Sequence, residues 1–488
     1  MDIVLHPRAG PSDCLRVWIG AFQPTSAPAL AWTLDGVATE PVALRPISSA
    51  RPDELLPANQ DPETVPRAFT GVYEFAGLEP DTLHTISVSA AGSQRELNAR
   101  TLPGAIPTDL DRWFNVLLVS CHHAAEDRGG LSGIIASHIS ALAKPHLSIF
   151  AGDQVYLDLP TLKNFQDDER WLADKFERDY IENWRGPDGY ARVFDLAPSV
   201  AIPDDHEYWN NFPHPSPFIQ NAWSQDGRDR WRKAAQAMFT AFQLASPDSL
   251  GEAFILDVPP LSFFIADTRS GKDPDREFTM PEAEHKQLSD WVDRVIDKQL
   301  FGVFVSGQSV FEDPVSSTGG AIADYELPNY RDFGRIMTTL QRLIDEGRRP
   351  LLCLTGDVHW GRIAAAQDIT TGRTAITEII ASPSSLVTTV GADTIKKIGG
   401  FFHGVFGSPD PWPRHSVPSE PPAFLASDSL GGRFPCSTIH RQKGNHVALL
   451  RFRQAGGGIE CRVTYFPIHS DSAVARPTEL GPFQFTNA

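Results

Sequence analysis

Leu147-Ser-Ile-Phe-Ala-Gly-Asp-Gln-Val-Tyr-Leu-Asp158 runs an apolar strand straight into a glycine, a carboxylate and a phenol. In open α/β sheets ligands bind outside the carboxyl ends of the strands, where loops carry reactive side chains on a rigid base. Asp153 and Tyr156 are therefore expected at a site. A Gly-Asp pair alone is also what an ordinary strand-to-loop turn uses. Three further strand-like runs, Phe114–Ser120, Gly302–Ser306 and Leu351–Thr355, break into polar clusters of the same kind, which turn chemistry does not explain.

Outward from that stretch, Ser132–Ala143 reads as a helix with Ile135, Ile139 and Leu142 on one face, linking the strands Phe114–Ser120 and Leu147–Ala151. A strand-helix-strand crossover predicts a parallel sheet. Glu282–Leu300, entered through Pro281, and Arg331–Glu346 are further amphipathic helices, each feeding a strand. Val447–Phe452 and Glu460–Phe466 form a closing hairpin. Gly391–Phe434, rich in Gly, Pro and aromatic residues, reads as a long ordered loop or cap.

The first hundred residues differ. Short alternating runs (Val17-Trp-Ile, Leu30-Ala-Trp-Thr-Leu, Val72-Tyr-Glu-Phe, Thr85-Ile-Ser-Val-Ser) separated by Pro, Gly and Asp are the pattern of a small β-sandwich. A composition shift between Pro103 and Arg112 marks the boundary, giving an all-β domain over residues 1–103 and a second domain over residues 112–488. Gly77-Leu-Glu-Pro-Asp-Thr-Leu-His84, with Thr101-Leu-Pro103 closing the following strand, resembles the later half of a fibronectin type III module, His84 standing where that family has a tyrosine. No cluster of ligand-type residues falls in this part, which reads as a structural or interaction module.

The chain has 488 residues, 41% of them apolar, and a formal net charge of −18. Such an acidic surface repels phosphate backbones and anionic lipid, so nucleic-acid and membrane-surface binding are not expected. Five scattered cysteines do not make a disulfide framework and point to reduced thiols. No apolar run is long enough for a membrane span, and Met1–Gly10 has no signal-peptide character. The expected location is cytoplasmic, or secreted or periplasmic if a leader was removed. Oligomeric state is open.

Five clusters stand at or just after strand ends: Ser120-Cys-His-His123, Gly152-Asp-Gln-Val-Tyr156, Pro203-Asp-Asp-His-Glu207, Ser306-Gly-Gln-Ser309 and Thr355-Gly-Asp-Val-His-Trp360. Their order resembles the five-block pattern of the calcineurin-like metallophosphatases. Cys121 and Asp357, where an Asp and a His are commoner, match the alkaline phosphatase D branch, and Asp267-Thr-Arg269 after an apolar strand is a further shared feature. The resemblance spans about Asn115–Phe466. It implies a four-layer α/β/β/α metallophosphatase sandwich that hydrolyses phosphate mono- or diesters by attack of a hydroxide bridging two metal ions.

By that resemblance Asp153 bridges the ions. Cys121, Tyr156 and His359 complete one site. Thiolate and phenolate donors bind only deprotonated and suit a strongly acidic ion such as ferric iron. Asp205 and Asp357, with Gln308 as a neutral donor, form the second, whose oxygens suit calcium, magnesium or manganese. His206, between two carboxylates, suits a general acid for the leaving group or a hydrogen-bond donor to the phosphoryl oxygen, with Glu207 as a candidate to orient it. Arg269 is a candidate phosphate clamp, with a structural ion pair as its alternative. Taken singly, Cys121 reads as a small buried hydrophobe, Tyr156 as a core ring and His359 with Trp360 as a packed strand end. The ordered set favours metal. The competing function class is a non-enzymatic binding module on a silent scaffold. A serine nucleophile is excluded because Ser306-Gly-Gln-Ser-Val-Phe311 lacks the second glycine of a nucleophile elbow, and no phosphate-cradling P-loop is present.

Overall fold

Leu147–Ala151 is a strand buried along its whole length, paired in parallel with Phe114–Val119 on one side and Ser199–Ile202 on the other. The computed structural model describes all residues except 140–142, 161–164, 187, 217, 245–252, 312–325, 386–432, 469–475 and 487–488. The expected cap thus lies almost wholly outside the described residues.

Two large sheets form the centre. A ten-stranded sheet runs, in spatial order, Thr478–Phe485, Gly458–Pro467, His446–Ala455, Phe114–Val119, Leu147–Ala151, Ser199–Ile202, Asp2–Arg8, Cys14–Phe22, Ala68–Ala76 and Val42–Ser49. A seven-stranded sheet runs Phe254–Val258, Leu261–Ile265, Phe301–Ser306, Leu351–Thr355, Arg373–Ile380, Gly361–Asp368 and Cys436–Gln442. Their inner faces share one apolar core, in which Val116, Leu118, Ile149 and Val200 meet Phe263, Val303, Val305 and Leu354. Each such side chain, wholly removed from water, contributes about 1.5–3 kcal/mol.

Helices cover both outer faces. Glu169–Arg185 and Gln225–Phe242 pack on the ten-stranded sheet through Phe176, Tyr180, Trp231 and Met238. Glu282–Asp297 and Phe333–Asp345 pack on the other sheet through Leu288, Trp291, Ile336 and Leu340. The result is the four-layer α/β/β/α sandwich expected from the sequence.

Two local expectations change. The crossover helix is a short α-helix, Gly130–Ile134, continued by a π-helical turn, Ile135–Ile139; Ile135 and Ile139 are buried as expected. A further helix, Glu169–Arg185, whose cap Asp168 accepts from the backbone of Arg170 and Trp171, stands where the sequence reading assigned no element. Leu172, Phe176, Tyr180 and Trp184 repeat every fourth residue, a helical period that faces the core.

The N-terminal region is all-β, as expected. A four-stranded sheet, Val37–Ala38, Ala31–Leu34, Leu83–Ala90 and Ser93–Arg100, closes a core of Leu5, Val17, Ile19, Trp32, Tyr73, Ile86 and Val88 against the N-terminal strands of the large sheet. Through Asp2–Arg8, which pairs in parallel with Ser199–Ile202, that sheet continues into strands from the second part of the chain. The backbone N–H of Ala9 donates to Ser199 O at 2.8 Å, and Trp18, buried among residues of both parts, donates Nε1–H to Ala241 O at 2.8 Å.

Candidate metal centre

The carboxyl ends of parallel strands from both large sheets meet at one place. Phe114–Val119, Leu147–Ala151 and Ser199–Ile202 deliver Cys121, Asp153 and the Asp204–Asp205 pair. Phe301–Ser306 and Leu351–Thr355 deliver Gln308, Asp357 and His359. Two glycines permit this convergence. A side chain on Gly356 would collide with Ala151 O, and one on Gly152, at φ +93°, with the Asp204 side chain.

Cys121, Asp153, Asp357 and His359 all sit in the left-handed region, with φ of 52°, 56°, 58° and 59°. For residues with a Cβ this conformation costs about 1–2 kcal/mol each. Such backbone persists only where its surroundings enforce it, and it clusters at functional sites. Here it turns each chain sharply as it leaves its strand, so that side chains from two sheets converge.

Among the described residues, three sets of donor atoms lie within 4.8 Å of one another: Cys121, Asp153 and His359; Asp153, Asp205 and His206; and Asp153, Asp204, Asp205 and Asp357. Asp153 belongs to all three. The Tyr156 ring lies 4.3 Å, centroid to centroid, from that of His206, the two planes tilted by 38°. Gln308 is fully buried, and its Oε1 accepts from Lys272 Nζ at 3.1 Å. An oxygen already facing an ammonium group is a weaker donor to a second cation.

The electrostatics of this cluster ask for positive charge. Burial, followed by the neighbouring carboxylates Asp153 and Asp357, pushes the Cys121 thiol well above its ordinary range. Burial raises Tyr156 in the same way, with Cys121, Asp153, Asp205 and Asp357 adding to it. Asp153 and Asp357 are likewise pushed well above the carboxylate range, first by burial. The Tyr156 hydroxyl and Asp204 Oδ2 are buried with no hydrogen-bond partner among the described residues. A thiol, a phenol and carboxylates that burial keeps from ionising alone, gathered with the His359 imidazole, fit bound cations.

His206 is held by a residue the sequence reading did not select. Its Nδ1 lies 2.8 Å from Asp158 Oδ1, and Asp158 Oδ2 accepts the backbone N–H of Asn210 at 2.9 Å. Burial opposes a charged imidazole, yet Asp158, Asp205 and Asp153 outweigh it and raise His206 well above its ordinary pKa. Glu207, expected to orient His206, has other partners. It accepts backbone N–H groups of Asp153 at 2.9 Å, Gln154 at 2.6 Å and Asp204 at 2.8 Å, and the amide of Gln243 at 3.1 Å. It pins the two carboxylate loops together. Arg269 is fully buried, its Nε 2.5 Å from Asp204 Oδ1 and its Nη1 donating to Phe212 O at 2.9 Å. That geometry supports the ion-pair alternative for this arginine.

No family model and no curated sequence matches the chain. Solved structures do. A structure titled as that of PhoD is similar over 98% of this chain and 92% of its own, at 13% identity and a TM-score of 0.55. The purple acid phosphatase PPD1 from yellow lupin (Lupinus luteus) seeds is similar over 98% of this chain and 74% of its own, again at 13% identity and a TM-score of 0.55. At this identity the likeness speaks for the fold.

Proposed function

We propose that this protein is a metal-dependent phosphoesterase of the alkaline phosphatase or phosphodiesterase type, acting on small phosphate esters. The observation that carries the reading is Asp153, a buried carboxylate common to all three donor sets, at the lip where two sheets end. Its position beside an unpartnered buried phenol is hard to explain in a passive scaffold. The fold it shares with the PhoD structure and a purple acid phosphatase agrees with this chemistry.

In this reading Cys121, Asp153, Tyr156 and His359 hold ferric iron, and Asp153, Asp205 and Asp357 hold calcium, magnesium or manganese. Asp204, though within reach, is committed to Arg269. Bound there, two cations supply Lewis acidity, lowering the pKa of a water and neutralising phosphoryl oxygens. The chain's own residues do the rest. Asp158 fixes the His206 ring through Nδ1, which leaves Nε2 as the proton-carrying atom for the leaving group. Glu207 holds the loops of Asp153 and Asp204 at a fixed separation. The sandwich over residues 1–103 and the domain over residues 112–488 act in this reading as one body, the former buttressing the sheet that carries Cys121, Asp153 and Asp205. Among the described residues no helix is long and apolar enough to cross a membrane.

Elemental analysis of the purified protein, with chelator-sensitive release of nitrophenol from its mono- and diesters, tests the proposal. Stoichiometric metal and turnover lost on chelation are expected. Metal-free protein that stays inert when iron and calcium are supplied would refute it.

A further inference from the structure

Ser382 follows the strand Arg373–Ile380 at the edge of the donor cluster and is fully buried. Its hydroxyl donates to Cys121 Sγ at 3.1 Å and accepts the backbone N–H of His359, also at 3.1 Å. One small side chain thus joins two donors that arrive from different sheets.

The hydroxyl is not free to wander, because the segment around it is clamped to the Cys121 loop. Ser384 N donates to Ser120 O at 2.9 Å, Ser385 N to Cys121 O at 3.0 Å, and His123 N to Ser385 O at 3.3 Å. A parallel bridge pairs His122 with Ser385. Backbone bonds on both sides of the sulfur therefore fix where the Ser382 hydroxyl points.

We propose that Ser382 is a positioning residue for the sulfur donor, setting the direction of the Cys121 lone pairs and withdrawing electron density from the thiolate. The inference rests on the assignment of Cys121 and His359 as ligands. Hydrogen bonds to a ligating sulfur lower its donation to the ion, and outer partners of this kind tune both affinity and potential. A serine that merely fills space here would leave the electronic state of the ion untouched.

The test compares wild type, Ser382→Ala and Ser382→Thr as purified holoproteins, by metal content, visible spectrum, reduction potential and kinetics. In Ser382→Ala the tyrosinate–iron band is expected to move to shorter wavelength and the potential to become more negative, with KM within about twofold of wild type. Ser382→Thr, which keeps the hydroxyl, should retain the wild-type band and potential. Loss of iron in the alanine variant alone would equally support the positioning role. A Ser382→Ala protein with iron, band and potential unchanged would overturn it, as would iron loss in both variants, which would mark a packing role. A wild-type protein without iron fails before any substitution is made, and it takes down the ligand assignment as well as this proposal.

Discussion

Nδ1 of His206 lies 2.8 Å from Oδ1 of Asp158, a carboxylate with no exposed surface, while the imidazole keeps 15% of its side chain open to solvent. An imidazole held on one side and open on the other is oriented for proton transfer through Nε2. Asp158→Asn and His206→Gln are each expected to lower kcat on the order of 10²-fold with both ions retained. Two groups acting as a unit give non-additive effects, so the double variant should fall little further. Multiplying effects in steady-state kinetics would separate the two residues.

Asp153 is common to every donor set, so Asp153→Ala is expected to lose both ions together with turnover. Metal content and activity measured on one preparation check this. Retention of either ion at full occupancy would contradict the bridging role.

Asp153, Asp204, Asp205 and Asp357 crowd their oxygens within 4.8 Å. Without cations this arrangement is repulsive. Asp357→Asn should therefore stabilise the chelated protein by about 1 kcal/mol, because Asn also tolerates the φ of +58° at this position. With metals supplied the sign should reverse. Paired thermal melts with and without chelator read both.

Arg269 and Asp204 are a fully buried ion pair. Removing one member leaves the other charged and unpaired, which costs about 3–5 kcal/mol. Arg269→Met is expected to lose stability of that order in denaturant titrations while KM moves little. A variant of normal stability with a much higher KM would restore the phosphate-clamp role.

His446 donates Nδ1–H to Gly444 O at 2.6 Å, and its other ring nitrogen is buried without a partner among the described residues. Burial lowers its pKa from 6.5 to about 4. Because the folded pKa is depressed, the unfolded chain takes up the proton first. The stability this group contributes is complete above pH 6.5 and is lost as pH falls towards 4, to about 3 kcal/mol in total. His446→Gln should flatten the stability profile across that window in denaturant titrations at stepped pH. An unchanged profile would exclude His446 as the titrating group.

The strand ends were legible because apolar runs that stop at Gly-Asp or Ser-Cys-His carry both the strand and its terminus in adjacent residues. Asp158 stood in the stretch first read, five residues past Asp153, but its partner lies 48 positions away and no local pattern announces the contact. Glu207 was misassigned for the same reason: beside the nearby Asp204 N–H, its partners Asp153 and Gln154 lie in a loop more than fifty residues earlier. Asp204 could have been noticed, since two carboxylates side by side at a strand end must each be neutralised by something. The helix Glu169–Arg185 was available too, its four-residue aromatic period hidden among charged residues. Alternation in the first hundred residues predicted strands, but alternation is silent on where a sheet stops.

The sheet that crosses from the first hundred residues into the rest constrains how the chain can be made. Ser199 Oγ donates to Pro7 O across 192 positions, and Trp18 finds its acceptor 223 positions downstream. During synthesis the opening strands emerge long before their neighbours exist, and they wait with an uncovered apolar flank until the helix ending at Phe242 has left the ribosome. Contacts so distant are slow to close. Nascent chains stalled before that point should need chaperones, and a fragment cut at residue 103 would have nowhere to put Trp18.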